Sequence, residues 1–354
     1  MTSILDTFRG RRVLVTGSTG FKGSWLCTWL VNLGAEVSGF ALEPESDAPL
    51  FDLLGLRGKI HQHIGDIRDV DAIKAAVLSE KPEIVIHLAA QALVRRGYNE
   101  PKLTFDTNVG GGVNLLEATR GADSVRSLVF ITSDKCYLNK EWELAYREDD
   151  ELGGHDPYSA SKAAAEIVFA CYQSAYFQGR DGFLAATARA GNVIGGGDRS
   201  RDRILPDCIQ ALESETPIKL RHPNATRPWQ HVLEPLSGYL TLAAGLFNGD
   251  AKARGAWNFA PNTENVRTVR EVAERVASHW AGGQVIVAPE AGAKPEAQLL
   301  MLSSDKAKTV LGWRPRWTFE EAVDHTTAWY REVGAGASAM AVTERQIQEY
   351  LTDR

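Results

Sequence analysis

Residues 132–137 read Thr-Ser-Asp-Lys-Cys-Tyr, directly after the apolar run 128–131. Ser133, Asp134 and Lys135 set a hydroxyl, a carboxylate and an amine side by side. Such a pair at a strand end is either a solvated ion pair of small energetic worth, or an acid and a base aimed at one substrate. In "DPYSASKAAAE", Tyr158 and Lys162 stand four apart, which puts both on one helix face. An ammonium beside a phenol lowers the phenol pKa and makes Tyr158 a base near neutral pH. Alone, the motif favours an ordinary exposed Tyr and Lys pair; combined with the glycine loop that follows, it does not. The third constellation is "RRVLVTGSTGFKGSWLCTWL", an apolar strand, a turn with Gly17, Gly20 and Gly23, and an apolar helix. Glycines at this spacing permit the turn, let a pyrophosphate approach the backbone, and let helix and sheet pack closely. A glycine pattern between strand and helix is the context a dinucleotide site requires; the alternative is a plain tight turn.

These groups need a scaffold that brings strand ends together. Short apolar runs at 12–16, 36–40, 84–87, 128–132 and 183–189 predict buried parallel strands, and 23–33, 69–78 and 103–119 predict helices between them. That alternation implies an α/β fold, a doubly wound parallel sheet. Asp69 can cap one helix, and Pro157 opens the helix of Tyr158. After Asn192 the pattern changes. "GGGDRSRDRILPD" reads as a loop, 205–212 as a short helix, 218–220 as a strand, and "HPNATRPWQHV" as a loop. The helical run 234–246 returns to the first domain. The tail past 333 has helical potential only near 343–351. The division expected is a dinucleotide domain over 1–190 with a return segment near 229–262, and a smaller α/β C-terminal substrate lobe over 191–228 and 263–354.

The chain has 354 residues, enough for one large α/β domain and a smaller lobe, with 44% apolar and 24% charged residues. A net charge of −6 argues against nucleic-acid or acidic-membrane partners. No apolar stretch reaches the roughly 18 residues of a membrane span, and the N-terminus carries no cleavage pattern. Cys27, Cys136, Cys171 and Cys208 include no C-x-x-C pair, so a reduced, cytoplasmic protein is expected. His61 and His63 share one side of a strand, but no third ligand stands nearby, so no metal site is expected.

At the end of the second strand Gly39 and Phe40 stand where an acidic residue grips ribose in NAD-binding proteins, and Glu43 is the nearest carboxylate. No arginine replaces it to hold a 2′-phosphate, so NAD is expected over NADP. In "GDIRD", Asp66 can accept from the adenine amino group with Ile67 on the ring; alternatively Asp66 only caps a helix. Arg227 in "TRPWQHV" is the first candidate for a substrate diphosphate of about two charges. Lys219 and Arg201 are weaker candidates, equally readable as surface charges, and Leu205–Pro206 can frame a base.

The glycine loop and Tyr158/Lys162 together resemble the extended short-chain dehydrogenase/reductase family. "HLAAQ" at 87–91, "TNVGGGVNLLEA" at 107–118 and "RAGNVIGGGD" at 189–198 extend the resemblance over nearly the whole chain. It implies a Rossmann-type domain holding NAD, a lobe holding a nucleotide-sugar, and a homodimer or dimer of dimers built from two helices per subunit. It places Thr19, Phe21, Lys22, Leu88, Ala89, Ala90 and Asn108 at the cofactor. Gln91, Asn192 and Val193 are placed towards the substrate. "TGFKGSWL", "ITSDKCY", "LGGHDPYSASK" and "RPWQHVLEPLSGYL" resemble more closely the nucleotide-sugar 4,6-dehydratases, and among them those taking CDP-glucose. Two departures stand out. Ser18 replaces a histidine usual in that loop, and Pro295–Glu296 replaces a His-Glu pair.

That chemistry oxidises sugar carbon 4, removes water across carbons 5 and 6, and returns hydride to carbon 6. Its first step needs a base at the carbon 4 hydroxyl, the role expected of Tyr158, with Ser133 expected to stabilise charge on the same oxygen. The resemblance gives Asp134 the role of acid to the leaving hydroxyl, and Lys135 that of assisting proton removal at carbon 5. Rival readings are a UDP-sugar 4-epimerase, which needs no elimination pair, and a non-catalytic dinucleotide sensor.

Overall fold

The computed structural model describes residues 2–44, 48–200, 202–280, 282–288 and 299–352. The apolar runs form strands β1 (Arg12–Thr16), β2 (Glu36–Ala41), β3 (His61–Ile64), β4 (Ile84–His87), β5 (Ser127–Ile131) and β6 (Leu184–Ala190). Short strands follow: β7 (Val193–Ile194), β8 (Ile218–Leu220), β9 (Thr226–Pro228), β10 (Gln230–His231), β11 (Gly255–Phe259), β12 (Val266–Thr268) and β13 (Val285–Val287). The main sheet has seven strands in the order β11-β6-β5-β4-β1-β2-β3, all parallel. Strand order reverses between β1 and β4, which opens a crevice at their carboxyl ends where doubly wound sheets bind ligands.

The principal helices are α1 (Phe21–Asn32), α2 (Val70–Glu80), α3 (Gly111–Arg120), α4 (Pro157–Tyr172), α5 (Ile204–Glu213), α6 (Leu233–Phe247), α7 (Val269–Ser278), α8 (Phe319–Gly334) and α9 (Ala339–Thr352). Asp69 caps α2 by accepting from the Asp71 and Ala72 amides. Asp156 does the same for α4 through the Ser159 amide, with Pro157 in the first turn. Apolar side chains from both sheet faces fill two clusters, one under α1, α6, α8 and α9, the other under α2, α3 and α4.

Three expectations need correction. The helix expected over 103–119 is interrupted: Pro101–Phe105 passes through one wide turn at Asp106–Gly110 into α3. The glycines there allow close packing, since a Cβ on Gly111 would lie 2.6 Å from Ile67. The loop expected in "HPNATRPWQHV" contains β9, antiparallel to β12, and β10, parallel to β7. The tail helix starts earlier than 343, at Ala339, because Ala339, Val342, Ile347 and Tyr350 are buried against the body of the protein. In the C-terminal part β8 pairs with β13, while β11 adds to the edge of the main sheet beside β6.

Candidate active site

At the end of β1, Gly17 has φ +74°, in the left-handed region where a side chain is strained. A Cβ there would sit 2.8 Å from the Ala89 amide, so the β1 and β4 loops meet only because Gly17 lacks one. A Cβ on Gly23 would come within 2.0 Å of the Gly17 carbonyl, which fixes how tightly α1 docks. Gly20 caps α1 with extended backbone and offers no side chain to the first-turn amides, leaving that helix end suited to an anion. A cradle that a methyl group would fill therefore fits a pyrophosphate. Thr19, Phe21 and Lys22 line the cleft beside it, with Leu88, Ala89, Ala90 and Ile67.

The cleft holds about 2720 Å³, well beyond the roughly 300–1,000 Å³ of a single small-ligand pocket. It has room for a dinucleotide and a second ligand. Asp66 lines it, but the Arg68 amide, Nε and Nη2 bond its carboxylate at 2.5–3.0 Å, and this holds the Asp66 pKa below its ordinary value. Glu43 also lines the cleft and pairs with Arg57, which is shared with Asp52. That arginine is thus committed to two carboxylates. Ser18 is buried and its hydroxyl donates to Gln62 Oε1 at 2.8 Å.

Asn108 differs from expectation. It does not line the cleft. Its amide donates to the Gln91 carbonyl at 3.0 Å and Ser161 Oγ at 2.9 Å, while Oδ1 accepts the Gln91 amide at 2.8 Å. Asn108 therefore holds the loop after β4, and Gln91 itself faces the cleft.

β5 ends at Ile131 and delivers Thr132, Ser133, Asp134 and Lys135 to the cleft. The Ser133 hydroxyl donates to Asp134 Oδ1 at 2.7 Å and accepts the Lys135 amide at 3.3 Å. No ion pair joins Asp134 to Lys135 among the described residues, which weighs against a loop salt bridge. Asp134 packs on Gly191 after β6, where a Cβ would lie 2.9 Å from Oδ2. Asn192 and Val193 follow at the same edge.

Tyr158 and Lys162 lie on the buried, cleft-facing side of α4. The electrostatics correct one expectation. Burial dominates at Tyr158 and pushes the phenol up to about 12, opposed by a hydrogen bond shared with Ser133 and the charge of Arg203. Burial lowers Lys162 to about 8. The cation that acts most on the phenol is thus Arg203. Lys22 is likewise lowered to about 8, by burial first and then by Arg203, while Asp134 pulls it up. Arg203 is held by Asp198 at 2.9 Å. Neither Arg203 nor Asp198 was singled out from the charged run "GGGDRSRDR". The only sequence signal was that this run sits between two apolar segments.

Behind the site a buried ion pair joins Arg189 of β6 to Glu166 of α4, with bonds of 2.9 and 2.8 Å. Glu166 also accepts from the Thr132 and Thr187 hydroxyls, and Arg189 donates to the Tyr137 hydroxyl at 2.7 Å. At the substrate end Leu205, Lys219 and Arg227 line the cleft; Arg227 is buried on β9, and Lys219 is exposed on β8. Arg201 and Pro295–Glu296 lie outside the described residues. Away from the cleft, the statement that His61 and His63 lack a third partner is also corrected: α2 brings Glu80 beside both.

A doubly wound sheet with a glycine cradle at β1, and Tyr158 and Lys162 together on α4, defines an extended short-chain dehydrogenase/reductase. More narrowly, the chain belongs to the GDP-mannose 4,6 dehydratase family, whose model matches residues 14–326. It is 41% identical to the CDP-glucose 4,6-dehydratase of Salmonella typhimurium, over 98% of this chain and 97% of that protein. The UDP-glucose 4-epimerase of Halalkalibacterium halodurans is 26% identical over 92% of this chain and 97% of its own. Among solved structures, a Thermus thermophilus UDP-glucose 4-epimerase in complex with NAD superposes with TM-score 0.75 at 27% identity, covering 90% of this chain and 99% of that one. A Bacillus anthracis dTDP-glucose 4,6-dehydratase shares the fold, with TM-score 0.76 at 20% identity, covering 94% of this chain and 100% of that one.

Proposed function

We propose that this protein dehydrates CDP-glucose to CDP-4-keto-6-deoxyglucose with NAD that is regenerated in each turnover. The observation that carries the reading is Ser133-Asp134-Lys135 at the cleft end of β5, beside Tyr158. A simple oxidation or epimerisation uses Tyr158 and Lys162 alone. An acid–base pair placed next to them serves a loss of water.

The Gly17–Gly23 cradle would hold NAD, which when bound would supply the hydride acceptor and donor and a positive charge that favours ionisation of a neighbouring phenol. Tyr158 takes the proton of the carbon 4 hydroxyl, and Ser133 bonds the same oxygen. Lys162 and Arg203 supply positive charge near the phenolate. Once carbon 4 is a ketone, the carbon 5 proton is acidic; Lys135 assists its removal while Asp134 gives a proton to the departing carbon 6 hydroxyl. Arg227, with Lys219 at the rim, binds the diphosphate; Leu205 and Pro206 frame the base.

Choice of the cytidine nucleotide rests on the likeness to the Salmonella relative. The reading carries with it a homodimer, or dimer of dimers, through two helical segments per subunit. Phe105 at the end of the helical turn Pro101–Phe105, Ile167 on α4 and Tyr176 just after α4 are exposed apolar residues, which supports pairing through these two segments. No described helix is long and apolar enough to cross a membrane, and a cytoplasmic setting is part of the proposal. The test is to incubate purified protein and NAD with CDP-, UDP- and dTDP-glucose in parallel. Preferential loss of water from the CDP sugar supports the reading. Conversion to a galactose epimer would favour the epimerase instead.

A further inference from the structure

β3 is the last strand of the main sheet, so among the described residues one edge of it is unpaired. His61 and His63 are two residues apart on it and point to the same face. Glu80, the last residue of α2, closes over that face. His61 Nδ1 and His63 Nε2 each lie 2.7 Å from the same oxygen, Glu80 Oε1. The two rings are 4.7 Å apart and tilted by 52°, and all candidate ligand atoms fall within 4.8 Å of one another. The cluster is far from the Tyr158 machinery in the chain and takes no part in the proposed reaction.

A carboxylate accepting two imidazole N–H bonds is the plain alternative. That arrangement also gathers two nitrogens and a carboxylate oxygen within 4.8 Å of one another, which is the donor set a cation needs. We propose that His61, His63 and Glu80 form a binding site for a borderline divalent cation of the zinc class. Two imidazoles and one carboxylate are a donor set such ions favour, whereas calcium and magnesium favour oxygen alone. Ligands at about 2.0–2.2 Å in tetrahedral geometry sit roughly 3.3 Å from each other. Glu80 Oε1 therefore retreats by roughly half an ångström to admit the ion, a small adjustment for a side chain at a helix end. His61 is largely exposed, with 69% of its side chain accessible, and His63 and Glu80 are mostly covered at 26% and 16%. The site is thus open on the His61 side, where water takes the fourth position.

The ion ties the edge strand to the end of α2. It also bears on the cofactor loop, because Gln62, between the histidines, accepts the Ser18 hydroxyl and donates to the His63 carbonyl. The test uses the full chain without a histidine tag, stripped with chelator. It is titrated with zinc by calorimetry and with cobalt(II) by visible absorption, and its unfolding temperature is followed with and without zinc. Expected are one ion per chain, a four-coordinate cobalt spectrum, and a rise in unfolding temperature. His63→Ala and Glu80→Gln should each weaken binding by more than about tenfold and abolish the rise. Cys171→Ser, which removes an exposed thiol elsewhere, should change neither. Absence of saturable binding would overturn the proposal. So would equal affinity in His63→Ala and Glu80→Gln with native circular dichroism, since the ion then sits elsewhere.

Discussion

Replacing Glu166 by glutamine neutralises one half of an ion pair whose side chains are only 4% and 3% exposed. The pair is a fork, Arg189 Nε and Nη2 on the two Glu166 oxygens, and the same carboxylate receives the Thr132 and Thr187 hydroxyls. Glutamine keeps the shape but only one accepting oxygen, so one hydroxyl bond must reverse and one Arg189 N–H loses its acceptor. It leaves the Arg189 guanidinium buried without a counter-charge, which costs roughly 3–5 kcal/mol. Set against a typical net stability of about 5–15 kcal/mol, the variant folds but with a lowered unfolding midpoint. The effect also reaches the site. Thr132 immediately precedes Ser133, and Glu166 is one turn beyond Lys162, so the pair fixes the β5 end against α4. A displacement of the acid–base groups of about 1 Å lowers turnover by up to roughly a hundredfold, while KM for the nucleotide sugar should move little. Denaturant titration followed by tryptophan fluorescence, with steady-state kinetics beside it, reads both. The paired variant Glu166→Gln/Arg189→Met removes both charges and should be more stable than Glu166→Gln alone, yet stay slow. A Glu166→Gln protein within about 1 kcal/mol of the parent, or a paired variant losing the sum of the two single losses, would refute the reasoning.

Other outcomes follow from the same geometry. Asp134→Asn keeps a bond with Ser133 but removes the acid. Water loss should fall by roughly 10²–10⁴-fold while carbon 4 oxidation persists, visible as accumulated NADH; equal loss of both steps would point to binding or folding. Glu234 is buried, accepts the Arg316 and Trp317 amides and the Tyr350 hydroxyl, and has its pKa pushed up from 4.5 to about 7 by burial. Between those pH values the folded state holds a proton the unfolded chain has released, so its contribution to stability falls as pH rises, by roughly 3 kcal/mol in all. Glu234→Gln should therefore lose less stability than the parent from pH 5 to 8 in denaturant titrations. A parallel pH profile would contradict the assignment.

The strand, glycine turn and helix over 12–32 were legible because their signals are local: period, turn residues and helix start lie within one segment. The same holds for Tyr158 and Lys162, four apart on one helix. What the sequence hid depends on distant partners. β9 and β10 are three- and two-residue strands, too short for a pattern, and exist because residues 266–268 and 193–194 lie beside them. Glu166 in a helix and Arg189 in a strand look like ordinary charges until folding buries them together. Asn108 matched a cofactor motif, yet its polar atoms are used to hold Gln91. His61 and His63 gained Glu80 only through the crossover that lays α2 on the sheet. The phenol of Tyr158 was expected to be lowered by Lys162, but burial, which no spacing reveals, sets its direction.

The most direct measurement is a single incubation of the purified protein with NAD and CDP-glucose, followed by product analysis and cofactor absorbance. The expected product is CDP-4-keto-6-deoxyglucose, with no net build-up of NADH. Recovery of unchanged CDP-glucose, or formation of CDP-galactose, would contradict it.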